Sequence, residues 1–254
     1  MAFDWNIFFT ALTSSEFFRG AWLSIALAAV SMLFATVIGF GVALLRISDN
    51  RLARTVGGAY VWFFRAIPTL LVLLIIWNAG PQLFPALREN WFSPFIAAFV
   101  GFAVVEAAYM AEILRSALLS VDDGQRVAAR AIGLPPHKVL LKVVLPQAIK
   151  VALPPTGNEF IAMLKYTSIA SVISLRELLT TAQVGVSTTF RYAEYYSAAL
   201  VYYLVIVSAL MGVQTLIERR YRWVSAGIDS VAAGTSKNTG KKKDVGTKKD
   251  AVST

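Results

Sequence analysis

The sequence predicts an all-α integral membrane protein with five transmembrane helices, its N-terminus outside and its C-terminus in the cytoplasm. Three observations carry this. The 254 residues are 57% hydrophobic and 15% charged, with a mean hydropathy of +0.61, too apolar for an ordinary soluble domain of that length. Four apolar runs, at about 21–45, 59–79, 95–119 and 195–217, each approach the roughly 20 residues that cross a bilayer. Two strongly basic stretches, finally, must share the cytoplasmic face. One holds Arg126, Arg130, Lys138, Lys142 and Lys150; the other holds Arg219, Arg220, Arg222 and a lysine-rich end. Only the run 195–217 clearly crosses between them, so a second crossing is required. The segment 151–174 is the candidate, although Pro154, Pro155, Gly157, Asn158, Glu159 and Lys165 make it polar.

Taken in order, residues 1–18 form a short external or interfacial segment. Trp5, Phe8, Phe9, Leu12 and Phe17 suit a helix lying at the membrane surface; a frayed terminus is the alternative. No cleavable signal is expected, because Met1–Phe9 has no basic start and the first apolar run is too long. Residues 19–222 form the transmembrane domain. Arg46, Arg51 and Arg54 place the first loop inside, and Arg88 with Glu89 suits an outside loop, as do Arg176, Glu177, Arg191 and Glu194. Gly39, Gly41 and Gly101 fit close helix packing.

The loop 122–146 is short, basic and punctuated by Gly and Pro. Asp122-Asp123 offers an N-cap for a helix over Gln125–Ile132, and Gly133 suits a left-handed stop. Pro135-Pro136 opens a second helix through about Val144, with Leu145-Pro146 closing it. The turn is expected to expose Ala128, Ala129 and Gly133, small residues that admit another surface. In the span 151–174, Pro154-Pro155 and Gly157 are expected to break helix regularity, which at membrane depth points to a pore lining. Residues 223–254 are expected to be a disordered Lys-rich cytoplasmic tail.

Several chemistries are excluded. Without cysteine there is no disulfide, thiolate metal site or Cys nucleophile. His137 is the lone histidine and has no second metal-ligand candidate, so no metal site is expected. The net charge of +9 could suggest nucleic acid, but the tail lysines sit in a Gly/Ser/Thr-rich segment almost without aromatics, which argues against it. Gly234 to Lys241 is spaced one residue too long for a phosphate loop, so ATP is not expected to bind this chain. No nucleophile–base constellation suggests a membrane enzyme.

Ionisable residues within spans are costly and therefore informative. Glu106 lies mid-span with Tyr109 one turn on. It is either a partner for a substrate ammonium or guanidinium, or a buried carboxylate bonded to a neighbouring helix. Lys165, Thr167 and Ser168 complete the expected substrate pathway. Glu112 and Arg115, at i and i+3, suit a structural pair. Arg65, three residues before Pro68, suits a gate or an interhelix contact.

The ordered motifs resemble one family. Ala128, Ala129, Gly133, Leu145 and Pro146 match the EAA loop of bacterial ABC-importer permeases, with Val127 where the family's Glu stands. Ala108-Tyr109-Met110-Ala111-Glu112-Ile113-Leu114-Arg115 resembles the AYxAEIxR segment of polar amino-acid permeases. Leu145-Pro146-Gln147-Ala148, Leu153-Pro154-Pro155, Asn158-Glu159-Phe160-Ile161 and Leu164-Lys165-Tyr166-Thr167-Ser168 resemble the same subfamily's later run. Arg65 to Leu71 resembles its RxxPLL element. The resemblance implies a type I importer permease fold and a non-catalytic, multi-pass subunit in the bacterial cytoplasmic (inner) membrane, carrying a polar amino acid. It implies a cytoplasmic ABC ATPase dimer docking at Ala128, Ala129, Gly133, Leu134, Leu145 and Pro146. A second permease subunit, copy or sibling, and an extracytoplasmic solute-binding protein complete the assembly. ATP and Mg would bind the ATPase, leaving no cofactor on this chain. The rivals are a permease of the same motif class for another small solute, and an ion-coupled secondary transporter. No internal repeat is detected that would favour the latter.

Overall fold

The computed structural model describes residues 2–240, with side chains described through Arg220. Asp4 opens α1, Trp5–Leu12, its carboxylate accepting from the amides of Asn6 and Ile7. The Asp4 amide donates to Glu194 Oε1 at 3.0 Å, and the Tyr202 hydroxyl donates to the Leu12 carbonyl at 2.9 Å. The amino-terminal segment is therefore a helix tied down at both ends, not a frayed terminus.

Ser14 caps α2, Ser15–Ile47, and Asn50 caps α3, Arg51–Ala66. Then come α4, Thr69–Leu83, and α5, Pro94–Leu119. The remaining helices are α6, Asp123–Ala131; α7, Pro136–Ile173; α8, Leu178–Thr189; and α9, Tyr192–Gly240. Four helices, α2, α5, α7 and α9 as far as Arg220, are long and apolar enough to cross a membrane. The pair α3–α4 makes a fifth span if its halves are counted together, but they meet at 97°.

That bend falls within the apolar run expected to span at 59–79. Ile67 is extended (φ −98°, ψ 142°), as a residue before proline prefers, and Pro68 is extended too. The helix then restarts, with the Pro68 carbonyl accepting from Leu71 and Val72. The new direction drives Leu73 into a hollow over Gly101, where a Cβ would lie 2.5 Å from a Leu73 methyl. Gly39 likewise lies against α5, whereas Gly41 faces open space and takes no part in packing.

α7 departs from expectation in the opposite sense. Leu145-Pro146 do not close a helix: a wide turn with i→i+5 bonding over Leu140–Val144 carries the chain straight into Leu145–Tyr166. The Leu145 amide reaches back to the Leu140 carbonyl, so the widened turn absorbs the missing amide of Pro146. Pro154 and Pro155 also lie inside an unbroken α-helix. The irregular part comes later, as a 3-10 stretch over Thr167–Ile173 that ends at Ser174 in a left-handed conformation.

α5 is the central element, packed on α2, α3, α4 and α7. Ala28 and Ala35 of α2, and Ala97, Ala98, Ala107, Ala108 and Ala111 of α5, are fully buried. Lipid tails are as apolar as leucine, so small residues that let backbones approach are what hold such helices together. A larger cluster around Leu27, Phe102, Met163, Leu164 and Ile173 adds van der Waals contact. Beyond the spans, Glu177 is fully buried and caps α8, accepting from the amides of Leu179 and Thr180 at 2.8 and 2.7 Å. Burial pushes its carboxyl up, and those amide bonds oppose the shift.

Residues 1–211 form one compact unit, and Gly212 onward forms a second. Within the second, Gln214 Nε2 donates to Glu218 Oε1 at 2.9 Å. No proline interrupts residues 192–240, and the helix runs through the tail boundary expected at 223 as far as Gly240. The tail lysines from Lys241 onward lie outside the described residues.

Candidate functional site

Two places in the chain carry the predicted site residues. The first is a cavity of about 440 Å³ under the bend of α3–α4. Pro68, Thr69 and Leu70 roof it, Glu106 and Tyr109 come from α5, and Glu159 and Tyr166 come from α7. Helical spacing puts the α5 pair on one face, and Glu159, Met163 and Tyr166 on another. Glu106 is 5% exposed, and its Oε1 finds no hydrogen-bond donor among the described residues. Glu159 lies near enough to repel Glu106, and Arg65 near enough to attract Glu159. The Arg65 guanidinium carbon sits 5.2 Å from the centre of the Tyr109 ring, a cation–π contact. One hydrogen bond braces this region: the Tyr60 hydroxyl donates to the Val104 carbonyl at 2.7 Å.

Three residues expected in the pathway do not reach this cavity. Lys165 is exposed, Ser168 is half-buried and bonds the Lys165 carbonyl, and Thr167 is fully buried against the Leu164 carbonyl. Their helix carries them round to other faces; Tyr166, between them, is the one that points in. Glu159 was legible only as a charge in a span; its spacing from Met163 and Tyr166, at i+4 and i+7, is the signal that could have placed it. Glu112 and Arg115 pair at 3.1 Å, and Arg46 of α2 joins them on the other carboxylate oxygen. This cluster clamps α2 to α5 and lines no part of the cavity.

The second place is the loop between α5 and α7. Asp122 caps α6, accepting from the Gly124 amide at 2.7 Å. At the other end Gly133 has φ +82°, its amide donates to the Arg130 carbonyl, and the Leu134 amide reaches the Ala129 carbonyl. This is a Schellman ending, which needs a residue without a Cβ penalty at that φ. Ala128 and Gly133 are exposed beside Val127 and Ile132, at 63% and 79% exposure. Ala129 is not exposed as expected: it is 6% accessible and packs in a cluster with Ala43, Leu118, Val139, Val144 and Ala148. The spacing of α6 turns Ala129 inward and Ala128 outward. Leu134 and Leu145 are half-buried, with Leu134 packed on that cluster, and Pro146 is exposed. Gln147 ties the two sides together, donating to Gln125 and to the Val143 carbonyl. A small apolar surface is thus held rigidly against the ends of α2 and α5.

Several helices long and apolar enough to cross a membrane, with a charged cavity under the α3–α4 bend and a braced loop after α5, describe a multi-pass membrane protein. Residues 35–223 match the family described as binding-protein-dependent transport system inner membrane component, and the chain belongs to it. It is a non-catalytic permease subunit. The probable amino-acid permease protein YxeN of Bacillus subtilis is 34% identical over 216 residues, covering 85% of this chain and 95% of that one. The L-cystine transport system permease protein TcyB of the same organism is 38% identical over 202 residues, covering 79% and 84%. The glutamine transport system permease protein GlnP of Escherichia coli is 32% identical over 222 residues, covering 87% and 99%. Among solved structures, an amino acid ABC transporter crystallised with histidines superposes with a TM-score of 0.75 at 33% identity, over 87% of this chain and all of that one. The methionine transporter MetNI, at 24% identity and a TM-score of 0.70, shares the fold.

Proposed function

We propose that this chain is the permease subunit of an ABC importer that carries a polar amino acid with a cationic side chain into a bacterial cell. Its relatives and the family support the importer class. The cationic preference rests on one observation: Glu106, buried mid-span with an oxygen that has no donor among the described residues, lines a cavity that also holds Glu159. A buried carboxylate left without a donor is costly, and a guanidinium or ammonium supplies one. Arg65, beside Tyr109, is the group for the substrate carboxylate.

In this reading five spans, counting α3–α4 as one, cross the cytoplasmic membrane with the N-terminus outside and the C-terminus inside. An ABC ATPase dimer, carrying ATP and Mg, docks on Ala128, Ile132 and Gly133, and a solute-binding protein delivers substrate to the opposite face. A second permease, copy or sibling, completes the pathway. ATP-driven closure of the ATPase moves α6 as a lever, and Ala129 passes that motion to α2 and α5. The substrate shifts the equilibrium only through its different affinities for the two states.

Reconstituted transporter tests the cavity directly. Glu106→Gln is expected to lower arginine or lysine uptake about 10–100-fold, the worth of one charged hydrogen bond. ATPase binding should be unchanged. Unaltered uptake of cationic amino acids would remove Glu106 from the pathway. Copurification of the tagged chain from its host identifies the ATPase and the second permease.

A further inference from the structure

A second cavity, of about 700 Å³, opens at the end of the molecule away from the docking loop. α1, α2, α8 and the start of α9 enclose it. Phe17, Phe18, Trp22, Leu23 and Val184 give it an apolar wall. Its volume is within the ~300–1,000 Å³ range of small-molecule pockets. Three charged side chains line it: Glu16, Arg19 and Arg176. Arg19 and Glu16 approach only to 3.5 Å, and both are well exposed. Arg176 is exposed, with no ion pair or hydrogen bond among the described residues. The site therefore has a net positive charge.

Where the cavity opens says what fills it. Phe18 and Trp22 are 68% and 66% exposed at its mouth. From there exposed apolar side chains continue along α2 at helical spacing, through Val30, Leu33 and Val37. The mouth thus runs into an exposed apolar face of a helix long and apolar enough to cross a membrane. Arg19 lies in the first turns of the span Ser15–Ile47, and Arg176 lies just after the span that ends at Ile173. Both arginines belong at the level where hydrocarbon gives way to headgroups. Guanidinium groups match phosphate oxygens in geometry and charge.

We propose that this groove is a phospholipid site. The phosphodiester sits against Arg19 and Arg176, and one acyl chain lies along Phe18, Trp22, Leu23 and Val184. Bound lipid would bridge α2 and α8, which both line the groove. The site is independent of which amino acid is carried.

Native mass spectrometry of the purified, delipidated full-length chain, titrated with phosphatidylglycerol, tests it. Wild type should saturate at one firmly held lipid per chain. Arg19→Ala with Arg176→Ala should weaken that binding tenfold or more; both positions are exposed, so the fold should survive, as circular dichroism checks. Val184→Phe, which fills the groove and keeps both arginines, should weaken it as much. Arg88→Ala, outside the groove, should leave it unchanged. Equal lipid binding by wild type and the double arginine variant would overturn the proposal. So would loss in Val184→Phe alone, which would mean an apolar occupant without a phosphate.

Discussion

Pro68 ends one helix at a right angle, whereas Pro146, Pro154 and Pro155 all lie within another. The residue is the same, and so is its local deficit: no amide to donate and a ring that crowds the preceding turn. What differs is the surroundings. Before Pro68, Ile67 takes the extended conformation, and the redirected chain gains a seat for Leu73 over Gly101. Before Pro146 the wide turn at Leu140–Val144 supplies a longer-reach bond. Around Pro154 and Pro155, Ala148, Ala152, Met163 and Leu164 are buried against neighbouring helices, so the unbroken helix is held from outside. A proline therefore weakens a helix locally, and tertiary contacts decide whether the weakness becomes a bend.

The comparison can be broken at several points. Pro68→Ala should have the largest effect. With the amide restored, α3 and α4 gain a reason to continue as one helix, and the roof of the cavity moves. Transport is expected to fall at least about tenfold, equivalent to about 1.4 kcal/mol, while the docking loop still binds its ATPase. Uptake at wild-type level would show that the bend is imposed by packing alone.

Next comes Gly133→Asp, which tests the stiff end of α7. The new side chain has space but must adopt φ +82°, at a cost of order 1 kcal/mol, and it puts a charge on the docking face. Substrate-stimulated ATP hydrolysis should be abolished with membrane insertion intact; normal stimulation would sink the lever. Pro146→Ala should act more mildly. It removes the reason for the wide turn, and the loop side of α7 would rotate against Gln125 and Gln147. A two- to fivefold loss of stimulated hydrolysis is expected, measured on the reconstituted complex.

The smallest effect belongs to Pro155→Ala. The Val151 carbonyl recovers an amide donor in a helix that is already unbroken. Thermal stability should rise, by up to about 3 kcal/mol at the limit set by a helix-interior proline, with transport within twofold of wild type. A large loss of transport would mean that the tandem prolines serve the pathway after all.

Much of this molecule was legible in the chain. Apolar runs gave α2, α5 and the membrane part of α9, because a bilayer demands about 20 apolar residues whatever lies beside them. Charge bias recovered the span within α7 that hydropathy alone passed over. Asp122 and Gly133 marked the limits of α6 to within two residues, since caps and left-handed stops are chosen by local backbone chemistry. Glu106 and Tyr109 were identified as a pair because one helical turn separates them. Arg115 and Glu112 were paired by the same rule.

Other features were settled only by neighbours. The chain gave no sign that Pro68 would bend while Pro154 and Pro155 would not, because burial of Leu73, Met163 and Leu164 against other helices made the difference. Nor could it tell Ala129, which anchors the loop, from Ala128, which faces outward: both are alanines, and only the cluster around Ala43 and Leu118 distinguishes them. Lys165, Thr167 and Ser168 looked like pathway residues by composition, yet the register of α7 turns Glu159 and Tyr166, and not these three, into the cavity. Periodicity, caps and charge bias are written in the order of the residues. Which face turns inward, and which weak point bends, is a property of the surfaces that meet, and those exist only once the helices have packed.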